Sequence, residues 1–259
     1  MIKEEIKSIY KIFKDLDKKT VAIFIIVAVL QTVSWYFTSR RFFREYLFLN
    51  FEDYSDPYLI EFMYWFIGDF FTLFILSVLV IKFGFRERLS DYGLKIGDYK
   101  TGLTFSLVFL FVMVILIWFV SATPDFANMY PHLQSTKINW KTLLIYESGM
   151  FFYMFAWEFI WRGFMLFGLE KKFGWYSVFI QMIPFVILHN GKPFLETFGA
   201  IFGGIALGII ALRTRSIYYC ILIHLGVMYS IDLISVLRSR SNDFGIGIES
   251  IINLLKQIL

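Results

Sequence analysis

Long apolar stretches separated by short clusters of charge set the rhythm of this chain. Thr20 to Ser39 holds no charged residue. As a helix rising about 1.5 Å per residue, it is long enough to cross a hydrocarbon layer about 30 Å thick. Phe62 to Ile81 is interrupted only by Asp69, and Thr101 to Ala122 is uncharged. Thr142 to Leu169 is a longer apolar tract that carries Glu147, Glu158 and Arg162. Phe173 to His189, Thr197 to Leu212 and Ser216 to Leu237 follow. The pattern predicts an all-α fold, a polytopic membrane helix bundle with seven transmembrane helices, or eight if the longest tract is two helices.

Residues 1–19 have a different period. Ile2, Ile6, Ile9, Phe13 and Leu16 recur at helical spacing among Lys and acidic residues, as in a helix lying on a membrane surface or docked on another helix. Four regions result: a surface helix over 1–19, N-terminal transmembrane helices over 20–141, a membrane core over 142–238, and an interfacial segment over 239–259. In the sixth span, Gly199/Gly203 and Gly204/Gly208 form two small-xxx-small pairs that let a neighbouring helix approach closely. Lys and Arg concentrate in the N-terminal segment, the 82–100 loop, Lys171/Lys172 and Arg213/Arg215. That asymmetry places the N-terminus in the cytoplasm, with a bacterial cytoplasmic membrane as the expected location.

Composition agrees. The chain is 58% hydrophobic and 21% aromatic, with a mean hydropathy of +0.64, more apolar surface than a soluble domain of this size can hide. The lipid bilayer is therefore the first expected partner. A net charge of +4 gives no sign of nucleic-acid binding. The single cysteine, Cys220, excludes an internal disulfide and a Cys-based metal cluster. Six Lys before Thr20, with no prompt small-residue cleavage site, argue against a cleavable signal peptide.

Candidate chemistry comes from ionisable residues at membrane depth, which are costly and turn towards partners, cavities or active sites. Glu158 and Arg162 are one helical turn apart and can touch. His189 and His224 lie in or at the end of apolar runs, as do Glu147, Glu196 and Asp232. So many polar groups point to a shared cavity rather than to incidental packing. Glu147 and Glu158, roughly three turns apart, are expected on one helix face near Arg162. His224, Met228 and Asp232 also fall along one face. Asn190-Gly191-Lys192-Pro193 breaks the helix after His189, and His132 reads as a solvated loop residue.

The residues Trp157-Glu158-Phe159-Ile160-Trp161-Arg162, Phe185-Val186-Ile187-Leu188-His189 and His224-Leu225-Gly226-Val227-Met228 resemble three ordered motifs of the CAAX protease and bacteriocin-processing (CPBP) membrane proteins. This family includes the type II CAAX prenyl endopeptidases, and its motifs are EExxxR, FxxxH and HxxxN or HxxxD. The resemblance covers about residues 142 to 235. It implies an intramembrane endopeptidase acting on a membrane-associated peptide or protein substrate. Glu158 matches the second Glu, Arg162 the Arg, and His189 and His224 the two histidines. Trp157 stands where the first Glu is expected, and Met228 where Asn or Asp is expected.

Under that resemblance the catalytic candidates are Glu158, Arg162, His189 and His224. Glu158 is the expected base, Arg162 its orienting partner, and the histidines the groups that hold water or stabilise an oxyanion. Glu196, seven residues beyond His189, is a candidate to replace the carboxylate lost at Trp157. Glu158, His189 and His224 would also be the ligands if a divalent metal such as zinc were used. The alternative is a catalytically impaired scaffold or partner-binding membrane protein, favoured by Trp157 and Met228. A transporter use of the cavity is disfavoured by the lack of internal hydropathy repeats.

Overall fold

Aspartate and asparagine mark where most of the long helices begin. The computed structural model describes residues 1–257, which form helices and loops with no strand among the described residues. Helix α1 (Ile2–Asp15) has no buried residue. Asp17 then accepts from the Thr20 N–H at 2.8 Å and starts α2 (Lys18–Asn50). Asp56 accepts from Leu59 N–H at 3.0 Å, with Pro57 in the first turn, and starts α3 (Pro57–Phe85). Asp98 does the same for α4 (Tyr99–Val120) through Thr101, and Asn139 for α5 (Trp140–Phe173) through Lys141. Each such cap contributes about 1 kcal/mol. Then come α6 (Tyr176–Ile187), α7 (Phe194–Thr214), α8 (Tyr218–Ser241) and α9 (Ile248–Leu255). Of the segment over 239–259, residues 258–259 lie outside the described residues.

Among the described residues six helices, α2 to α5 with α7 and α8, are long and apolar enough to cross a membrane. The protein is an integral membrane protein. The expected span Phe173 to His189 is instead the 12-residue α6, about 18 Å long. Its C-terminus runs into a turn in which Gly191 takes φ +94°, and Pro193 precedes α7. The apolar tract was long enough, but the helix it forms stops at Ile187, short of the length of the other six. The longest tract is not split in two. It stays one 34-residue helix, whose winding widens to π-type turns from Phe159 to Phe167.

Helix α5 is the hub. Of its most apolar window 61% is buried, against 11% for α4, so α5 faces protein where α4 faces lipid. Phe62 and Phe66 of α3 pack edge-on against Tyr146, and Phe74 packs edge-on against Phe155 and Phe159. Polar ties add direction. Asp69 of α3 is buried and accepts from Ser34 Oγ (2.7 Å) and Thr38 Oγ1 (2.6 Å) of α2, and from Trp65 Nε1 (2.9 Å). Buried Glu61 takes both Arg40 and Arg44. At the far end of α8, Arg238 donates to Ser121 Oγ (2.8 Å) and the Trp118 carbonyl (2.9 Å), holding α8 to the end of α4.

The glycine pairs of α7 divide. A Cβ on Gly204 or Gly208 would meet α6, at Met182 Cγ (3.0 Å) and Val178 Cγ1 (2.9 Å), whereas Gly199 and Gly203 face open space. One pair packs α7 on α6, and Gln181 seals the contact by donating to the Gly204 carbonyl at 2.9 Å.

Candidate active site

Glu158 is the last residue before α5 widens, and Arg162 lies inside the widened turns. A π-type turn shifts the register of the helix face and is frequent at functional sites. Both side chains are 0% exposed. Arg162 Nη1 donates to Glu158 Oε1 at 2.9 Å, and His224 Nδ1 of α8 meets the same oxygen at 2.6 Å. One carboxylate oxygen thus joins two helices.

His189 lies just beyond α6. Its Nδ1 is 2.7 Å from the Phe185 carbonyl, and its own carbonyl accepts from Thr197 Oγ1 of α7 at 2.9 Å. A carbonyl or carboxylate can only accept, so both Nδ1 atoms carry hydrogen and each histidine keeps Nε2 for other chemistry. Phe185 stands among these groups. Its ring centroid is 4.5 Å from that of His189 and 6.0 Å from that of His224, and the Arg162 guanidinium lies 4.1 Å from it.

Trp157 is buried as part of the same wall. It packs on Tyr153, Trp161 and Phe185 and lies 6.4 Å, ring to ring, from His189. An indole fills the position at which the motif leads one to expect a carboxylate. Met228, likewise buried, offers no donor beyond His224. Glu158 Oε2, Arg162 Nε and Nη2, and Trp161 Nε1 are buried without a partner in the protein. Buried polar atoms are ordinarily satisfied, so this short stretch of α5 has hydrogen-bonding capacity that no other protein group uses.

The other sequence candidates lie elsewhere. Glu196 accepts from Lys192 Nζ (2.6 Å) and Tyr130 Oη (2.6 Å), so it clasps the start of α7 to the 121–139 loop and does not join Glu158. Glu147 meets Asp232 of α8 rather than Arg162. His132 is not a solvated loop residue. It is half-buried against the Tyr130 ring, 4.6 Å away. Burial first, then Lys192, push it down to about 4, against the opposing pull of Glu196.

Glu158, His189 and His224 do not form a ligand cage. Among the described residues no three His, Cys, Asp or Glu side chains are arranged to hold a metal ion. Glu158 Oε1 is already occupied by a permanent cation and an imidazole N–H, so the arrangement does not fit a metal on that oxygen. Sequence reading missed Phe185 as a shared wall and Trp161 as a buried donor. The only signal for Phe185 was its place four residues before His189, and Trp161 had none beyond its position beside Arg162.

Residues 138–229 match the family described as type II CAAX prenyl endopeptidase Rce1-like. The matched segment runs from the start of α5 to one turn past His224 and contains all three motifs, which bears out the resemblance. Comparisons with curated proteins and with solved structures gave no match.

Proposed function

We propose, from the match of residues 138–229 to the type II CAAX prenyl endopeptidase Rce1-like family, that this integral membrane protein is an intramembrane endopeptidase. It hydrolyses a peptide bond of a membrane-associated peptide or protein. The observation that carries this reading is the contact of Glu158 Oε1 with His224 Nδ1 at 2.6 Å, backed by Arg162 on the same oxygen.

A carboxylate holding the Nδ1–H of a histidine fixes its tautomer and stabilises the imidazolium that forms when Nε2 takes a proton. In that light Glu158 is the partner of the base, and His224 Nε2 is the base. Water gives its proton to His224 Nε2 as its oxygen attacks the scissile carbonyl carbon. The spare N–H groups of Arg162 receive the oxyanion, a role that preorganised donors in a dry site perform well. His189 Nε2 accepts a second hydrogen of the water and orients it. When the C–N bond breaks, His224 returns its proton to the leaving amine.

The second reading, a scaffold that binds a partner helix without cutting, is favoured by the aromatic wall of Trp157 beside His189. One experiment separates them. The protein is reconstituted in liposomes with a pool of membrane-anchored peptides, and new termini are read by mass spectrometry. Termini that appear with wild type and are lost in Glu158→Gln support the peptidase. Retention of peptides by both proteins, with no new termini, supports the scaffold.

A further inference from the structure

One end of the helix bundle carries a charged basin well away from Glu158. It is an open cavity of about 260 Å³ to which four parts of the chain contribute. Lys19 comes from the first turn of α2, and Glu87 and Arg88 from the connection after α3. Glu170 and Lys171 come from the last turn of α5, and Arg215 from the link between α7 and α8. Each lies at or just beyond the end of a membrane-crossing helix, the level at which hydrocarbon gives way to headgroups. Glu170 is 12 residues past Glu158, roughly 18 Å along α5.

The acids of the basin are already taken. Lys19 Nζ donates to both oxygens of Glu87, at 2.9 and 2.6 Å, and the buried Tyr92 hydroxyl donates to Oε2 at 2.5 Å. Glu170 accepts from Arg215 Nη1 at 2.6 Å. Asp91 accepts from Arg88 Nε and Nη2 at 3.3 and 3.1 Å. Four cations thus face three acids, and Lys171 has no carboxylate in ion-pair range among the described residues. Arg215 Nε and Nη2 and Arg88 Nη1 are left over from these pairs.

Arg215 is held in an unusual way. Its backbone takes φ +59°, the left-handed region that a helix end usually gives to glycine. Its guanidinium lies 4.9 Å from the ring of Phe167, which forms part of the basin wall. A bulky residue kept in a sparsely populated backbone region points to a task for its side chain.

We infer that this basin binds a phosphate group, and that the headgroup of an anionic phospholipid supplies it. The phosphate oxygens take Lys171 and the spare N–H groups of Arg215 and Arg88, while Glu87 and Glu170 hold the neighbouring cations in place. Basic pockets between membrane helices recognise such headgroups, and a planar guanidinium matches the geometry of phosphate oxygens. A soluble phosphate brings the same chemistry from the water side. The bound group ties α2, α5 and the α7–α8 link together, so it stabilises the folded protein as the site fills. The site is independent of the peptidase reading.

Full-length protein in neutral detergent is titrated with phosphatidylglycerol, phosphatidylcholine or inorganic phosphate. Native mass spectrometry reads lipid retention, and thermal unfolding reads stability. Phosphatidylglycerol is expected to bind and stabilise wild type. Its affinity is expected to fall about tenfold or more in Lys171→Ala and in Arg215→Gly, each of which removes a charge-assisted hydrogen bond to phosphate. Glycine suits the left-handed backbone at 215. Lys171 is exposed and belongs to none of the ion pairs, so its variant keeps the test open if loss of the Glu170 partner unfolds Arg215→Gly. Lys172→Ala, which removes the same charge from the next position outside the basin, is expected to bind like wild type. Phosphatidylcholine, whose phosphate is balanced by its own ammonium, is expected to bind about tenfold more weakly than phosphatidylglycerol. Inorganic phosphate that stabilises wild type but not Lys171→Ala, with no gain from phosphatidylglycerol, supports the phosphate site and overturns its lipid source. Equal phosphatidylglycerol affinity in wild type, Lys171→Ala and Lys172→Ala, or no stabilisation by either phosphate compound, overturns the inference.

Discussion

His224 Nδ1 and Glu158 Oε1 are 2.6 Å apart, and this contact joins the two most deeply buried membrane helices of the protein at the level of its candidate site. Arg162 shares the oxygen at 2.9 Å, with both side chains of the ion pair fully buried. Glu158→Gln would strand the Arg162 charge without its counter-ion, a loss of roughly 3–5 kcal/mol in buried pairs. Denaturant unfolding in detergent micelles is expected to show a loss of that order. A loss below 1 kcal/mol would mean that the pair is hydrated or absent.

Glu196 answers to different partners. Lys192 and Tyr130 hold its carboxylate, so it belongs to a clasp at the start of α7. Glu196→Gln is expected to keep cleavage within a few-fold of wild type and to cost about 1 kcal/mol of stability. Cleavage assays and unfolding on the same preparation check both. Loss of activity with unchanged stability would return Glu196 to the catalytic set.

The two glycine pairs of α7 make opposite forecasts. Gly208→Ala puts a methyl group 2.9 Å from Val178 Cγ1 and 3.0 Å from Gln181 Nε2, so the side chains packed between α7 and α6 must shift. A cost of about 1–3 kcal/mol is expected from such overpacking. Gly199→Ala enters open space and is expected to be neutral or stabilising by up to about 1 kcal/mol through helix propensity. Thermal unfolding of the two variants side by side makes the comparison.

His132 gives the protein an acid sensitivity. Its folded value of about 4, set by burial and by Lys192, lies below the unfolded 6.5. Between these values the unfolded chain binds the proton and the folded chain does not. Stability is therefore complete above about 6.5, falls as the pH drops through this window, and has lost its full amount near 4. The loss is about 3 kcal/mol at most. Unfolding at pH 7.5 and 4.5 is expected to show this difference in wild type and a smaller one in His132→Gln. Carboxylates that titrate lower remain in both proteins and cancel in the comparison.

How much of this was legible beforehand depended on which forces act locally. The apolar runs announced α2 to α5 because hydrophobic length is a local property, whereas the Asp and Asn caps that start these helices went unread. The shortness of α6 was harder to see. Phe173 to His189 carries no Asp, Glu, Lys or Arg, and only Gly191 and Pro193 beyond it hinted that the chain would turn back. In the site, the spacing of Glu158 and Arg162 gave their pairing, since i and i+4 share a face. Which oxygen they share with His224 depends on the packing of α8 on α5, and no spacing rule reports that. Glu147 does share the α5 face of Glu158, since both face α8, but its neighbour there is Asp232 rather than Arg162, and spacing along one helix does not name a partner on another. His132 read as solvated because it lies in a loop, yet the loop folds back and packs it on Tyr130.

The most direct measurement takes the reconstituted protein, a cleavable membrane peptide and water enriched in ¹⁸O. Wild type is expected to place one ¹⁸O atom in the new carboxyl terminus, as attack by water requires. Glu158→Gln and His224→Asn, prepared as folded proteins, are expected to cut more slowly by about 100-fold or more. Equal labelled product from all three proteins, or none from wild type across the peptide pool, would contradict an endopeptidase built on the Glu158–His224 pair.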